Sequence, residues 1–349
     1  MQRSDYMICT KISFLKTCAL LTAALLSMML FTSCNDGNFN VVLVLDYRGS
    51  TEDSFNVPAI EGLASAKEFF GVTGDIIKAK TEEEFKNAFT KQSEGNDMII
   101  AIGYKAEENI IDAAQLYPET NFIAIDVSFE GKTVPKNLVG ISYRSQESSF
   151  LVGYIAGMMT ETQKVGFIGG IEGLVDPFEY GFRAGVDFAA KQRNDEIEVI
   201  VYYVDDFYDQ QAAEKLAIKQ YSERCDIIFQ AAGAAGIGVI NAAQKTQCYC
   251  IGVDVDQSPL APDYVLTSAL KDIKYTVMSS IDDYKSGSAY MGGTKSLGLK
   301  EAGVGLPAEN PLVPQEVLSR VEELKELIIT EQLIPPENEE ELEAFLSVS

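Results

Sequence analysis

Short apolar runs recur along the chain, each bounded by polar residues. They are Val41–Asp46 (VVLVLD), Gly74–Lys80 (GDIIKAK), Met98–Gly103 (MIIAIG), Phe122–Asp126 (FIAID) and Leu138–Tyr143 (LVGISY). Val165–Gly169 (VGFIG), Val199–Val204 (VIVYYV), Asp226–Ala231 (DIIFQA), Cys248–Asp254 (CYCIGVD) and Tyr264–Ser268 (YVLTS) continue the series. Most are continuous rather than alternating, which is the signature of strands buried on both faces of a parallel sheet. Helical periodicity fills many of the gaps, over 58–70, 82–91, 107–116, 146–160, 176–191 and 211–224. The alternation predicts an α/β fold of parallel sheets flanked by helices.

About ten strands exceed one ordinary sheet, and a long apolar helical stretch (SSFLVGYIAGMM) lies midway. Two lobes with a cleft between them are therefore expected. The chain should cross between them near Arg144–Glu147 and return near Lys271. That places 40–145 plus 272–335 in lobe 1 and 146–271 in lobe 2. Pro314–Gln332 reads as one amphipathic helix, and 336–349 as an acidic C-terminal tail.

The first 33 residues read differently, as a lipoprotein signal peptide. Arg3, Lys11 and Lys16 precede an apolar run, CALLTAALLSMMLF, from Cys18 to Phe31. This is shorter than the roughly 20 residues a spanning helix needs and suits the h-region of a secretory signal. Thr32 and Ser33, small and polar, lead into Cys34, the expected lipidation site and mature N-terminus. Residues 34–39 would be the tether. Ordinary cleavage, leaving a soluble product, is the alternative reading.

The whole chain holds 28 Lys+Arg and 52 Asp+Glu; without residues 1–33 it holds 25 and 51, a net charge of −26. Nucleic-acid binding rests on basic charge meeting phosphate, so this acidity argues against it. It argues equally against a strongly anionic ligand. The chain has no His, which removes Ser-His-Asp, Cys-His and His-based metal chemistry. Cys248 and Cys250 alternate along one strand pattern. They read as buried small hydrophobes, with a disulfide to Cys225 as the alternative.

In open α/β sheets, ligands bind beyond the carboxyl ends of the strands. Three predicted strands end in aspartate, at Asp46, Asp126 and Asp254, and a fourth leads into Asp205-Asp206-Phe207. An Asp at such a place is often a helix cap or turn former. Three in one topological position also suit a ligand rich in hydroxyl and amino donors, because ionised carboxylates only accept. Phe55 and Phe207 stand in comparable places near strand ends. They could sandwich a flat base, at roughly 1–3 kcal/mol per stacked base, or staple helices to the core. The turns containing Gly169–Gly173 (GGIEG) and Gly233–Gly238 (GAAGIG) match neither phosphate-binding fingerprint. They read as close backbone approach to an uncharged ligand or as tight turns. Lys271 could bond a ribose oxygen or form a surface salt bridge.

Taken in order, DSFN (Asp53–Asn56), NLVGISYRSQESSFLVGYIAGMM (Asn137–Met159), KVGFIGGIEGLVDPFEYGFRAGV (Lys164–Val186), IGVDVDQSPLAPDYVLTSALKD (Ile251–Asp272) and LGLKEAGVGL (Leu297–Leu306) make a pattern. It resembles the basic membrane protein (BMP) family of bacterial solute-binding lipoproteins, which includes the purine nucleoside receptor A type. The resemblance implies a type I periplasmic-binding-protein fold, a cell-envelope location through a lipid anchor, and a monomer that hands its ligand to an ABC transporter permease. It implies no cofactor and no catalysis. Carried over by motif position, it nominates Asp46, Phe55, Asn56, Asp126, Phe207, Asp254 and Lys271 as ligand-binding residues, with Glu179 and Gly233 following. A purine nucleoside is the first expectation. A sugar, riboflavin or a signalling molecule in the same class of receptor is the alternative, and a nucleoside-cleaving enzyme or a surface antigen is a more distant one.

Overall fold

The structure is a computed structural model describing residues 39–46, 48, 55–288 and 292–348. The expected signal peptide and Cys34 lie outside the described residues. The chain opens with β1 (Asn40–Leu45), α1 (Asn56–Phe70), β2 (Thr73–Lys78), α2 (Glu82–Ser93), β3 (Met98–Ile102), α3 (Glu107–Leu116), β4 (Asn121–Ile125), β5 (Leu138–Tyr143) and α4 (Ser145–Met159). It continues through β6 (Lys164–Gly169), α5 (Asp176–Arg193), β7 (Glu198–Tyr203), α6 (Gln210–Ser222), β8 (Ile227–Ala231), α7 (Gly236–Thr246), β9 (Tyr249–Asp254) and β10 (Val265–Lys271). Last come α8 (Ile273–Ser286), β11 (Gly293–Leu297), β12 (Val304–Gly305), α9 (Gln315–Ile329) and α10 (Glu339–Val348).

The strands form two six-stranded sheets, ordered β11-β5-β4-β3-β1-β2 and β12-β10-β9-β8-β6-β7. All pairings are parallel except β10 with β12. The two-lobed α/β arrangement expected from the apolar runs is therefore present. Strand β3 shows why the runs are continuous: all of Met98–Ile102 is buried, because helices cover both faces of its sheet.

Two strands and one helix depart from the pattern. Strand β11 (GTKSL) holds a single large apolar residue and lies at an edge, bonded only to β5. Strand β12 is a two-residue edge. Neither position demands a hydrophobic run. The acidic stretch expected to be solvated instead forms α10, whose Leu342 is 2% exposed and joins the main core. Phe345 meets Phe150 of α4 at a ring separation of 6.0 Å.

Three chain crossings join the sheets, at Arg144, Asp272 and Gly298. They are tied to one another. Arg144 N donates to Leu297 O at 2.9 Å, and its guanidinium donates to Ser296 O at 2.9 Å. Glu147 accepts from Arg144 and, through its other oxygen, from Leu299 N at 2.6 Å. Asp272 N donates to Gly303 O at 2.9 Å. Crossings bonded side by side make a hinge, because a few residues can absorb the angular change between rigid sheets.

Helix α4 is buried from Ser145 to Gly157, and beyond its polar first turn (SQESS) the stretch Phe150–Gly157 is apolar on all sides, as a buried helix should be. It packs on α5 through paired glycines four residues apart, Gly153 and Gly157 against Gly181 and Gly185. A Cβ on Gly153 would lie 2.2 Å from Phe182 O, and one on Gly185 would lie 2.1 Å from Phe150 O. Gly153→Ala should therefore cost about 2–3 kcal/mol by overpacking, read by urea denaturation. An unchanged midpoint would mean that the helices separate freely.

Cys225, Cys248 and Cys250 are free thiols. Burial pushes both Cys225 and Cys250 up to about 12. The thiolate is the reactive form, so these two should resist Ellman's reagent at neutral pH and react once denaturant is added. Rapid labelling of the native protein at either position would contradict this burial.

Candidate functional site

A parallel sheet sends every strand's carboxyl end to the same edge, and the two sheets turn those edges toward one another across a single cavity of about 650 Å³. Asp46 and Asp126 enter it from the ends of β1 and β4, and Tyr143 from the end of β5. Opposite stand Gly233, Asp254 and Lys271, at or beyond the ends of β8, β9 and β10. Phe55 precedes α1, Asn56 begins it, and Phe207 follows β7. Eight of the nine nominated residues line this space: Asp46, Phe55, Asn56, Asp126, Phe207, Gly233, Asp254 and Lys271.

The ninth, Glu179, lies behind the lining. It is 5% exposed on α5, next to cavity-lining Phe178. Its carboxylate accepts from Arg183 at 2.8 Å and from the Tyr203 hydroxyl. Burial, reinforced by that carboxylate, pushes the Tyr203 phenol well above its ordinary range. In these contacts Glu179 ties α5 to β7.

At the floor, Lys271 crosses from the second sheet to the first. Its Nζ donates to both oxygens of Asp126, at 2.9 and 2.8 Å. It is only 7% exposed, so the surface salt bridge considered from sequence is instead an ion pair inside the cleft. Three rings surround the ammonium, with Phe178 at 4.9 Å, Tyr143 at 5.5 Å and Phe55 at 5.9 Å. Their π faces offset part of its desolvation. Burial pushes the Tyr143 phenol far up, and its hydroxyl donates to Thr276 at 2.9 Å.

Asp126 and Asp254 share a second property. Both sit at φ near +65°, at 65° and 67°, a left-handed conformation that Asp tolerates better than most residues. Each ends its strand with a sharp reversal at the cleft. Outliers of this kind concentrate at ligand sites.

The rings are seated on glycine. A Cβ on Gly170 would lie 2.2 Å from the Phe207 ring, so only glycine lets that ring lie against the end of β6. Gly103, at φ 88°, lies beside Phe55.

The mouth holds residues that the sequence search passed over. Lys105 donates to Asp46 at 2.8 Å, and the Tyr208 hydroxyl donates to the same Asp46 oxygen at 2.9 Å. Tyr104 approaches Phe207 at a ring separation of 6.4 Å. Tyr104 and Lys105 follow directly on β3, so the strand-end rule that found Asp46 would have found them too. Arg48 bonds Asp206. Burial works against ionisation of Asp206, but Arg48 and the Tyr208 and Asp209 amides outweigh it and hold the carboxyl below its ordinary range. Glu337 and Asn338, from the segment before α10, close another side, and Gln146 donates to Glu337 at 3.1 Å.

The family described as ABC transporter substrate-binding protein PnrA-like (Bmp) matches residues 39–339. The chain belongs to this family. It is 36% identical over 338 residues to basic membrane protein A1 of Borrelia garinii subsp. bavariensis, covering 94% of this chain and 98% of that one. It is 33% identical to the CD4+ T-cell-stimulating antigen of Listeria monocytogenes, over 86% of this chain and 88% of the relative. Among solved structures, a solute-binding protein of an ABC transporter system from Aeropyrum pernix K1 superposes with a TM-score of 0.77. It is 24% identical and covers 88% of this chain and 98% of its own. That likeness shows the type I periplasmic-binding-protein fold. Membership implies a small-molecule ligand and a transporter permease as partner. Among the described residues, no helix is long and apolar enough to cross a membrane.

The floor offers a test that separates binding from folding. In Lys271→Met, the thioether would occupy the aromatic surround, and Asp126, with its side chain 30% exposed, stays hydrated. Unfolding free energy should change by less than about 1 kcal/mol, in contrast to the 3–5 kcal/mol lost when a fully buried pair is broken. Urea denaturation checks this, and a loss of the larger size would make Lys271 a structural residue.

Proposed function

We infer that this Bmp-family protein captures a purine nucleoside in the interlobe cleft and delivers it to its permease for import, held at the membrane by lipid on Cys34. One observation carries the reading. Acceptor-only Asp126 and Asp254, the Lys271 ammonium, and the rings of Phe55 and Phe207 all open on one cavity of about 650 Å³. Such a volume falls in the range of small-molecule sites. Ribose hydroxyls suit the carboxylates and the lysine, and a flat base suits the rings. The cations at the cavity are matched by carboxylates, as in Lys271–Asp126 and Lys105–Asp46, which favours an uncharged ligand over a phosphorylated one.

Isothermal titration with adenosine, guanosine and inosine should give micromolar affinity or better. Phe55→Ala and Asp254→Ala should each weaken it at least tenfold, about 1.4 kcal/mol. A sugar ligand would leave Phe55→Ala with much the smaller effect. Heat from ribose or riboflavin and none from any nucleoside would overturn the assignment. Prolonged incubation with inosine should release no free base.

A further inference from the structure

The loops that face each other at the mouth of the cleft interlock in a way the floor does not. Arg48 follows β1 of the first sheet, whereas Asp206 and Tyr208 follow β7 of the second. Arg48 Nη2 donates to both oxygens of Asp206, at 2.9 and 2.6 Å. The same guanidinium lies 4.5 Å from the centre of the Tyr208 ring. In the reverse direction, the Tyr208 hydroxyl reaches back to Asp46 at 2.9 Å. Each loop thus supplies both a donor and an acceptor to the other. Asp206 and Tyr208 are held in one turn, because Asp206 Oδ1 accepts from Tyr208 N at 2.6 Å. The group on the second sheet therefore meets Arg48 as a unit.

These contacts join, at the mouth, two bodies that the hinge crossings and the Lys271–Asp126 pair link at the floor. Contacts between hinged bodies form on closure and break on opening, so they bias that equilibrium directly. Their exposure gives them a second property. The side chains of Arg48 and Asp206 are 44% and 27% exposed, open enough for salt to screen the attraction.

We propose that Arg48, Asp206 and Tyr208 form a clasp across the cleft mouth that holds the lobes closed and sets the rate of ligand escape. The effect on escape rests on the cleft being the ligand site; closure by the clasp does not depend on which ligand occupies it.

The test compares the full-length protein with Arg48→Ala, Asp206→Ala and the double variant, after thermal melts confirm that all are folded. Small-angle scattering of the ligand-free proteins needs no ligand. The parent should be compact at low ionic strength and expand in about 1 M NaCl, where the screening length falls to roughly 3 Å. Either single variant should be expanded in both. Stopped-flow release of adenosine, guanosine and inosine should be about 2- to 5-fold faster in each single variant, as expected for one part-exposed ion pair. The double variant should fall well short of the product of the two single effects, because both substitutions remove the Arg48–Asp206 contact. Parent-like compaction and release in the single variants would overturn the clasp, and so would additive effects in the double. If none of the three nucleosides binds, the functional reading falls and the scattering alone decides the clasp.

Discussion

Lys271 and Asp126 meet where the two sheets face each other, and the cleft is organised around that pair. A lysine this deeply withdrawn from water requires a counter-charge, and its own sheet does not supply the one it uses. Asp126 comes from the other sheet, turned inward by a left-handed backbone at the end of β4. The pair thus fixes the separation of the two strand-end rows at the floor. The rings of Phe55, Tyr143 and Phe178 fill in around the ammonium. A ligand sitting above inherits a charged, pre-positioned surface on one side and aromatic walls beside it.

The electrostatics of the chain take on a sharper meaning in this setting. A protein with 52 acidic and 28 basic residues places Lys105, Arg144 and Lys271 on the cavity wall and Arg48 at its mouth. Each faces a carboxylate: Asp46, Glu147 with Glu301, Asp126 and Asp206 respectively. Overall acidity discourages anions from approaching, and the cavity lining keeps the same sign, with seven carboxylates against three cations, every one of those cations paired. Floor and mouth use this pairing differently. At the floor the ammonium is buried and only its carboxylate meets water, whereas at the mouth both partners are part-exposed and open to screening.

Much of this was legible in the sequence because strand-end chemistry survives translation into one dimension. Asp46, Asp126 and Asp254 close apolar runs, and parallel topology alone brings such ends together. Carrying the rule to β3 would have added Tyr104 and Lys105; the attention given to carboxylates passed over them. Other features had no such signature. Arg48 and Asp206 lie 158 positions apart, and their meeting depends on how far the lobes close. Strand β11 needs one neighbour and little burial, so GTKSL carries no apolar pattern. Helix α10 hides Leu342 and Phe345 among glutamates. Glu179 shows the limit of transfer by motif: it sits one residue from the cavity-lining Phe178 and bonds Tyr203 and Arg183 instead of facing the cavity.

We propose that this cleft is built for a nucleoside. Mass spectrometry of the small molecules released by denaturing the purified protein, expressed without added ligand, tests it most directly. A purine nucleoside should be recovered at close to one per protein molecule, and be absent from the Asp254→Ala variant. A sugar or a flavin recovered in that amount, and lost with the same substitution, would contradict it.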